Sequence, residues 1–163
     1  EKAFVFDFDD TLAFTDAKIK VDFSSRFTTG SYSLTPAEFN THTLREGESF
    51  DFSDFDKASF ILNGTPTKLI DLARDVFSEG HSVFILTARA DQASSAIVEF
   101  LAIHGVVASE VHCVGSSKGG DIAKAKRKVL LSIIENFDRV WFFDDDDRNI
   151  ALASELNCKA KKV

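Results

Sequence analysis

The chain has 163 residues, of which 44% are hydrophobic and 28% charged, with 19 lysines and arginines against 26 aspartates and glutamates for a formal charge of −7. That is one domain's length, enough to bury a core without disulfide or metal staples, and the composition excludes extended disorder. An acidic balance argues against extended nucleic-acid binding, which needs clustered cations to release counterions, and no apolar run reaches the 18 residues that would cross a membrane.

In chain order, residues 3–8 (Ala-Phe-Val-Phe-Asp-Phe) are short, apolar and β-prone and read as a strand. A second strand is expected at 18–23, and Thr35-Pro36-Ala37-Glu38 is a capping box opening a short helix. Residues 50–56, Phe-Asp-Phe-Ser-Asp-Phe-Asp, read as a period-two pattern. Apolar residues at 69, 70, 72, 73, 76 and 77 have helical spacing, with Pro66 as start and Gly80 as stop, predicting a helix over 66–79. Strands follow at 82–86, 110–114 and 139–143, and helices at 92–104, 121–136 and 147–156. The terminal Lys159-Ala160-Lys161-Lys162-Val163 reads as a solvated tail. Apolar strands alternating with helices predict an α/β fold, a Rossmann-like parallel sheet with helices on both faces. Residues 13–64 are too long for a simple crossover. They are expected to form a small cap or flap after the first strand, inserted into a core of 1–12 and 65–163 within a single domain.

In such a sheet, ligands bind beyond the carboxyl ends of the strands. Asp7-Phe8-Asp9-Asp10-Thr11 follows the first strand, Thr87-Ala88-Arg89 the second, and Asp144-Asp145-Asp146-Asp147 the fourth. Carboxylates converging on one edge repel each other, by roughly 1 kcal/mol per pair at 4 Å in water and about 4 at an effective dielectric of 20. A hard cation bound by oxygen alone relieves this, which suits Mg²⁺. Asp146 and Asp147 are better read as capping the last helix.

Asp7-x-Asp9-x-Thr11, the strand-ending Thr87, a later helical lysine and Asp144-Asp145-x-x-x-Asn149 together resemble the haloacid dehalogenase (HAD) superfamily of phosphohydrolases. The resemblance spans residues 2–12 and about 66–156 and leaves out the insertion. It implies a Mg²⁺-dependent phosphatase in which Asp7 is the nucleophile and forms an aspartyl-phosphate. A carboxylate is already ionised and attacks phosphorus without a general base. By the same resemblance Asp9 protonates the leaving oxygen and later activates water. Thr11, Thr87, Ala88, Arg89 and Lys126 bind phosphate, and the metal is held by Asp7, Asp9 (through its backbone carbonyl), Asp144 and Asp145. The residues themselves leave Arg89 open between touching substrate and pairing with an acid, and Asn149 open between orienting the acid cluster and merely sitting on its helix.

The lysine is chosen by helix face. Ile122, Val129, Leu130, Ile133, Ile134 and Phe137 form the apolar stripe of the helix at 121–136, and Lys126 falls inside it, whereas Lys124 and Lys128 point away. A charge in that stripe needs an anionic partner. Lys126 is therefore expected at the site, ahead of Lys124 and Lys118. Asp54-x-Asp56 repeats the acid spacing without a preceding strand or a threonine and is read as a decoy. Gly115 to Gly120 lacks Walker spacing. His42, His81, His104 and His112 are read as structural or surface residues.

The insertion is small enough to leave the site open to a nucleotide, another small phosphorylated metabolite or a nucleic-acid end. Phe50, Phe52, Phe55 and Phe60 are expected to serve the insertion's own core more than to stack on substrate. A phosphotransferase and a non-catalytic, receiver-like Mg²⁺ and phosphate module are the rival readings. The motif order, with the acid pair after the lysine, argues against the receiver. Cys113 and Cys158 lack metal spacing and read as free thiols of a reducing compartment. With no secretory opening, a cytoplasmic protein with no membrane partner is expected, and oligomeric state is left open.

Overall fold

The computed structural model describes residues 1–39, 41–115 and 121–163. Its elements are β1 (Lys2–Phe6), β2 (Ala13–Phe14), β3 (Ile19–Ser24), β4 (Thr29–Leu34), α1 (Pro36–Phe39), β5 (Glu48–Asp51), α2 (Ala58–Leu62), β6 (Thr65–Pro66), α3 (Leu69–Ser78), β7 (Ser82–Thr87), α4 (Ser94–Ile103), β8 (Glu110–Cys113), α5 (Ile122–Asn136), β9 (Arg139–Asp144), α6 (Asp147–Ser154) and β10 (Lys159–Lys162).

β1 alternates strictly, because successive strand side chains point to opposite faces. Phe4 and Phe6 join Ile61 of α2, Ile70 and Val76 of α3, and Ile97 and Phe100 of α4 in one buried cluster. Ala3 and Val5 join Leu130 and Ile133 of α5, Ala153 of α6 and Phe142 of β9 in another. Burial on both faces makes β1 the centre of a parallel five-stranded sheet ordered β10-β9-β1-β7-β8. Its register against β9 sets Phe4 beside Trp141 and Phe6 beside Phe143. Both pairs stack, with centroids 4.7 and 5.0 Å apart. The α/β parallel-sheet expectation holds.

The structure differs from the sequence reading in four places. The C-terminal residues are no solvated tail: β10 pairs with β9 in parallel, Lys159 opposite Trp141 and Lys162 opposite Asp144. Ala160 packs inward, while the lysines protect an edge strand from pairing with other chains. The third helix begins at Leu69 rather than Pro66. Pro66 is drawn into β6, antiparallel to β2, and Thr67 N–H donates to Leu12 C=O at 2.9 Å. β4 was not expected, since Thr-Gly-Ser-Tyr-Ser-Leu has little apolar alternation. It is recruited by β3, which pairs antiparallel with both β4 and β5 in a separate three-stranded sheet. The run at 50–56 is strand only to Asp51, since its alternation breaks at Ser53-Asp54, and Ser53–Asp56 form a 3-10 turn. The capping box forms as expected: Glu38 N–H donates to Thr35 Oγ1 at 3.2 Å, and Thr35 N–H to Glu38 Oε1 at 2.9 Å.

The small sheet has its own core of Ile19, Val21 and Leu34, with Phe39, Phe50 and Phe55 packed on it. Asp54 fastens this unit. Buried, it accepts from Lys18 N–H at 3.1 Å and Lys57 Nζ at 3.4 Å, and lies 3.7 Å from Lys20 Nζ. Burial alone would raise its carboxyl, but these partners hold it below the usual range.

Candidate active site

β1 leaves the sheet by a tight turn. Asp7 N–H still donates to Phe143 C=O at 2.9 Å, so the chain stays in the ladder through Asp7. It then reverses, with Leu12 N–H donating to Phe8 C=O at 2.9 Å and Asp10 in the left-handed region at φ 60°. Thr67 Oγ1 donates to Thr11 C=O at 2.6 Å and braces the turn from the start of α3. Asp7 is thereby set between the ends of β7 and β9.

Lys126 meets it from α5. Its ammonium donates to Asp7 Oδ1 at 3.0 Å and to Asp144 Oδ2 at 2.8 Å, with only 3% of the lysine side chain exposed. Lys124 and Lys128 are exposed, and Lys118 lies outside the described residues, as does most of the glycine-rich segment after β8. The helix-face reasoning thus picks the lysine that the fold delivers to the acids. Asn149 Nδ2 donates to Asp144 Oδ2 at 3.0 Å, and Asp146 N–H to Asp144 Oδ1 at 2.8 Å. Asn149 therefore orients the cluster. Asp146 caps α6, and Asp147 pairs with Lys162 at 2.8 Å. Thr11 Oγ1 lies 3.3 Å from Asp7 Oδ2 and 3.4 Å from Asp145 Oδ1.

Burial pushes the Asp7 carboxyl well up, and the charges of Asp144 and Asp145 add to this while Lys126 opposes it. Asp144 is raised mainly by burial too. Lys126 is lowered by burial, but Asp7 and Asp144 outweigh that and leave it raised. Three carboxylates against one ammonium leave surplus negative charge. Asp7, Asp144 and Asp145 each offer an oxygen within 4.8 Å of the others, a donor set that fits a hard divalent cation such as Mg²⁺.

The Asp9 carboxylate is outside that set. It is gripped by Arg89, whose Nε donates to Oδ2 and Nη2 to Oδ1, both at 2.8 Å. Of the two options for Arg89, the fold shows the acid pair. Its Nη1 donates to Phe55 C=O at 2.6 Å. Thr87 is buried, and its Oγ1 accepts Arg89 N–H at 3.1 Å, leaving the hydroxyl proton free to donate.

Three contributors were not read from sequence. Phe55 and Thr67 lie beyond any local motif. Gly115 had a signal, a glycine just after a strand: a Cβ there would lie 2.1 Å from Ala88 C=O, so only glycine lets this crossing seat Thr87-Ala88-Arg89. The histidines take structural positions, His104 against Phe100 and His42 against Phe50. Phe52 is half-exposed, unlike Phe50 and Phe55. No helix among the described residues is long and apolar enough to cross a membrane.

The β10-β9-β1-β7-β8 sheet, with acids at the ends of β1 and β9, a threonine ending β7 and a lysine from α5, shares its fold with solved structures of haloacid dehalogenase-like enzymes. Solved structures agree at the level of fold. A chain of the Pnkp1/Rnl/Hen1 RNA repair complex superposes with a TM-score of 0.65 at 15% identity, covering 99% of this chain and 42% of that one. The D,D-heptose 1,7-bisphosphate phosphatase of B. bronchiseptica, complexed with magnesium and phosphate, gives 0.56 at 11% identity, covering 98% and 79%. A HAD-family enzyme of Bacteroides thetaiotaomicron in a magnesium complex gives 0.52 at 16%, covering 99% and 92%. The chain thus spans less than half the length of the first of these. No family model and no curated protein sequence matches it.

Proposed function

We propose that this chain is a Mg²⁺-dependent phosphatase that hydrolyses a phosphomonoester through an aspartyl-phosphate on Asp7. The observation that carries the reading is the buried Asp7, bonded to Lys126 at 3.0 Å and grouped with Asp144 and Asp145. A carboxylate Oδ of Asp7 attacks phosphorus as the bond to the leaving oxygen breaks, and Asp9, protonated on entering this step, supplies the proton that oxygen takes up. Asp9 then accepts a proton from water. The water oxygen attacks the phosphorus, the Asp7–phosphorus bond breaks, and inorganic phosphate leaves with Asp7 restored. Thr87 Oγ1 and Lys126 Nζ donate to phosphoryl oxygens as negative charge builds on them. Mg²⁺ held by Asp7, Asp144 and Asp145, with the Asp9 carbonyl, would neutralise that charge and orient the group.

The small insertion leaves room for a nucleotide, another small phosphorylated metabolite or a nucleic-acid end. The fold neighbours include both a heptose bisphosphate phosphatase and a chain of an RNA repair complex. A small phosphorylated substrate and a cytoplasmic setting complete the reading. The test is hydrolysis of an aryl phosphate by the purified protein with Mg²⁺ or EDTA, beside Asp7→Asn. Metal-dependent multiple turnover, lost in the variant, is expected. Wild-type rates in Asp7→Asn would remove Asp7 as nucleophile. A single equivalent of phenol released without further turnover would point to an acceptor other than water.

A further inference from the structure

The Arg89 side chain is only 2% exposed, and its planar fork makes contacts in two parts of the molecule. Two nitrogens close on both Asp9 oxygens, and the third reaches the Phe55 carbonyl in the 3-10 turn of the insertion. The Phe55 ring centroid lies 5.0 Å from the guanidinium carbon and that of Phe8 5.8 Å. Arg89 itself is placed by the Gly115 crossing, where Gly115 N–H donates to its carbonyl at 3.1 Å. Arg89, two positions after Thr87, therefore grips the acid and the insertion at once.

We propose that Arg89 is a positioning residue for Asp9 and ties the seating of the insertion to the proton-transfer step. This rests on the phosphatase reading above. A protonated carboxyl keeps acceptor sites on both oxygens beside its O–H donor, and the fork occupies two of those sites, so the grip orients Asp9 while its proton stays available to the leaving oxygen. An aspartate on a partly exposed turn would otherwise sample several rotamers, and a misplacement of about 1 Å costs on the order of 10²-fold. Lysine cannot copy the bidentate grip.

The test is kcat/KM over a series of aryl phosphates of graded leaving-group acidity, for wild type, Arg89→Lys, Arg89→Ala, Phe55→Ala and Asp9→Asn. Proton donation matters for poor leaving groups and little for good ones. Arg89→Ala should lose roughly 10²-fold or more on the poorest leaving group, within the usual range for acid catalysis. It should lose less than about tenfold on the best, the same steepening as Asp9→Asn. Arg89→Lys should fall between wild type and Arg89→Ala, and Phe55→Ala should steepen the series in the same direction. The double variant of Arg89→Ala with Asp9→Asn should be no slower than Asp9→Asn alone, because residues acting as a unit are not additive. A uniform loss across the series in both Arg89 variants would overturn the inference, as would a faster Arg89→Ala, which would make the pair a restraint. The wild-type arm separates the two claims: turnover with an unchanged Arg89 slope overturns only the positioning role, and no wild-type turnover on any aryl phosphate overturns both.

Discussion

Replacing Lys126 by methionine keeps the length and apolar stem of the side chain and removes its charge. The ammonium lies 3.0 Å from Asp7 Oδ1 and 2.8 Å from Asp144 Oδ2, and the Asp144 side chain is fully buried. Removing one partner of a buried ion pair costs about 3–5 kcal/mol, because the remaining charge is left without compensation. At roughly 2–4 °C per kcal/mol for a chain of this size, Lys126→Met should lower Tm by about 10 °C. Unfolding is measured by calorimetry in EDTA, so that no metal substitutes for the lost ammonium. Under the proposed mechanism the same variant also loses a preorganised donor to the phosphoryl group, which costs about 10²–10³ in kcat. Lys124→Met and Lys128→Met, on the exposed side of α5, should stay within about 0.5 kcal/mol of wild type. A Lys124 or Lys128 variant that loses as much as Lys126→Met would refute the argument. So would a Lys126→Met protein that melts within a degree of wild type.

Gly115→Ala should displace the Thr87–Arg89 segment, since its Cβ meets Ala88 C=O at 2.1 Å and the Arg89 carbonyl at 3.0 Å. Overpacking of this kind costs about 1–3 kcal/mol, and aryl phosphate turnover should fall with it. Gly80→Ala, with φ +87° and nothing within 4 Å, should cost only about 1–2 kcal/mol of backbone strain and leave turnover intact; equal rates for the two variants would count against the crossing. Asp54 has a lowered carboxyl. The stability it supplies is therefore full above its unfolded value, near 3.8, and is lost as pH falls through the folded one. Asp54→Ala, which strands the Lys18 N–H, should destabilise the protein by about 1–3 kcal/mol at pH 7 and by less at pH 2–3. A pH-independent difference in urea unfolding would contradict this.

Much of the site was legible because it is encoded locally. A β-prone run followed by Asp7-x-Asp9-x-Thr11 carries its strand, turn and acids within ten residues. The 3.6-residue period of α5 places Lys126 on the face that carries Leu130 and Ile133, whatever the rest of the chain does. The acids after Trp-Phe-Phe had to sit at the end of a buried strand. The partner of Arg89 was not decidable that way, because Asp9 is 80 positions away and Phe55 belongs to an insertion with its own small core.

The same division separates the elements. Strands with a continuous apolar run or clean alternation announce themselves. β4 and β10 do not: Thr-Gly-Ser-Tyr-Ser and Lys-Ala-Lys-Lys become strands because β3 and β9 present unpaired backbone edges to them. By itself the sequence determined the α/β class, the carboxyl-edge acids and the lysine, since these follow from periodicity and short-range turn chemistry. Tertiary structure alone decided which acid Arg89 holds, where Gly115 must yield to Ala88 and how the insertion attaches. Those contacts depend on the register of strands far apart in the chain, which no local pattern specifies.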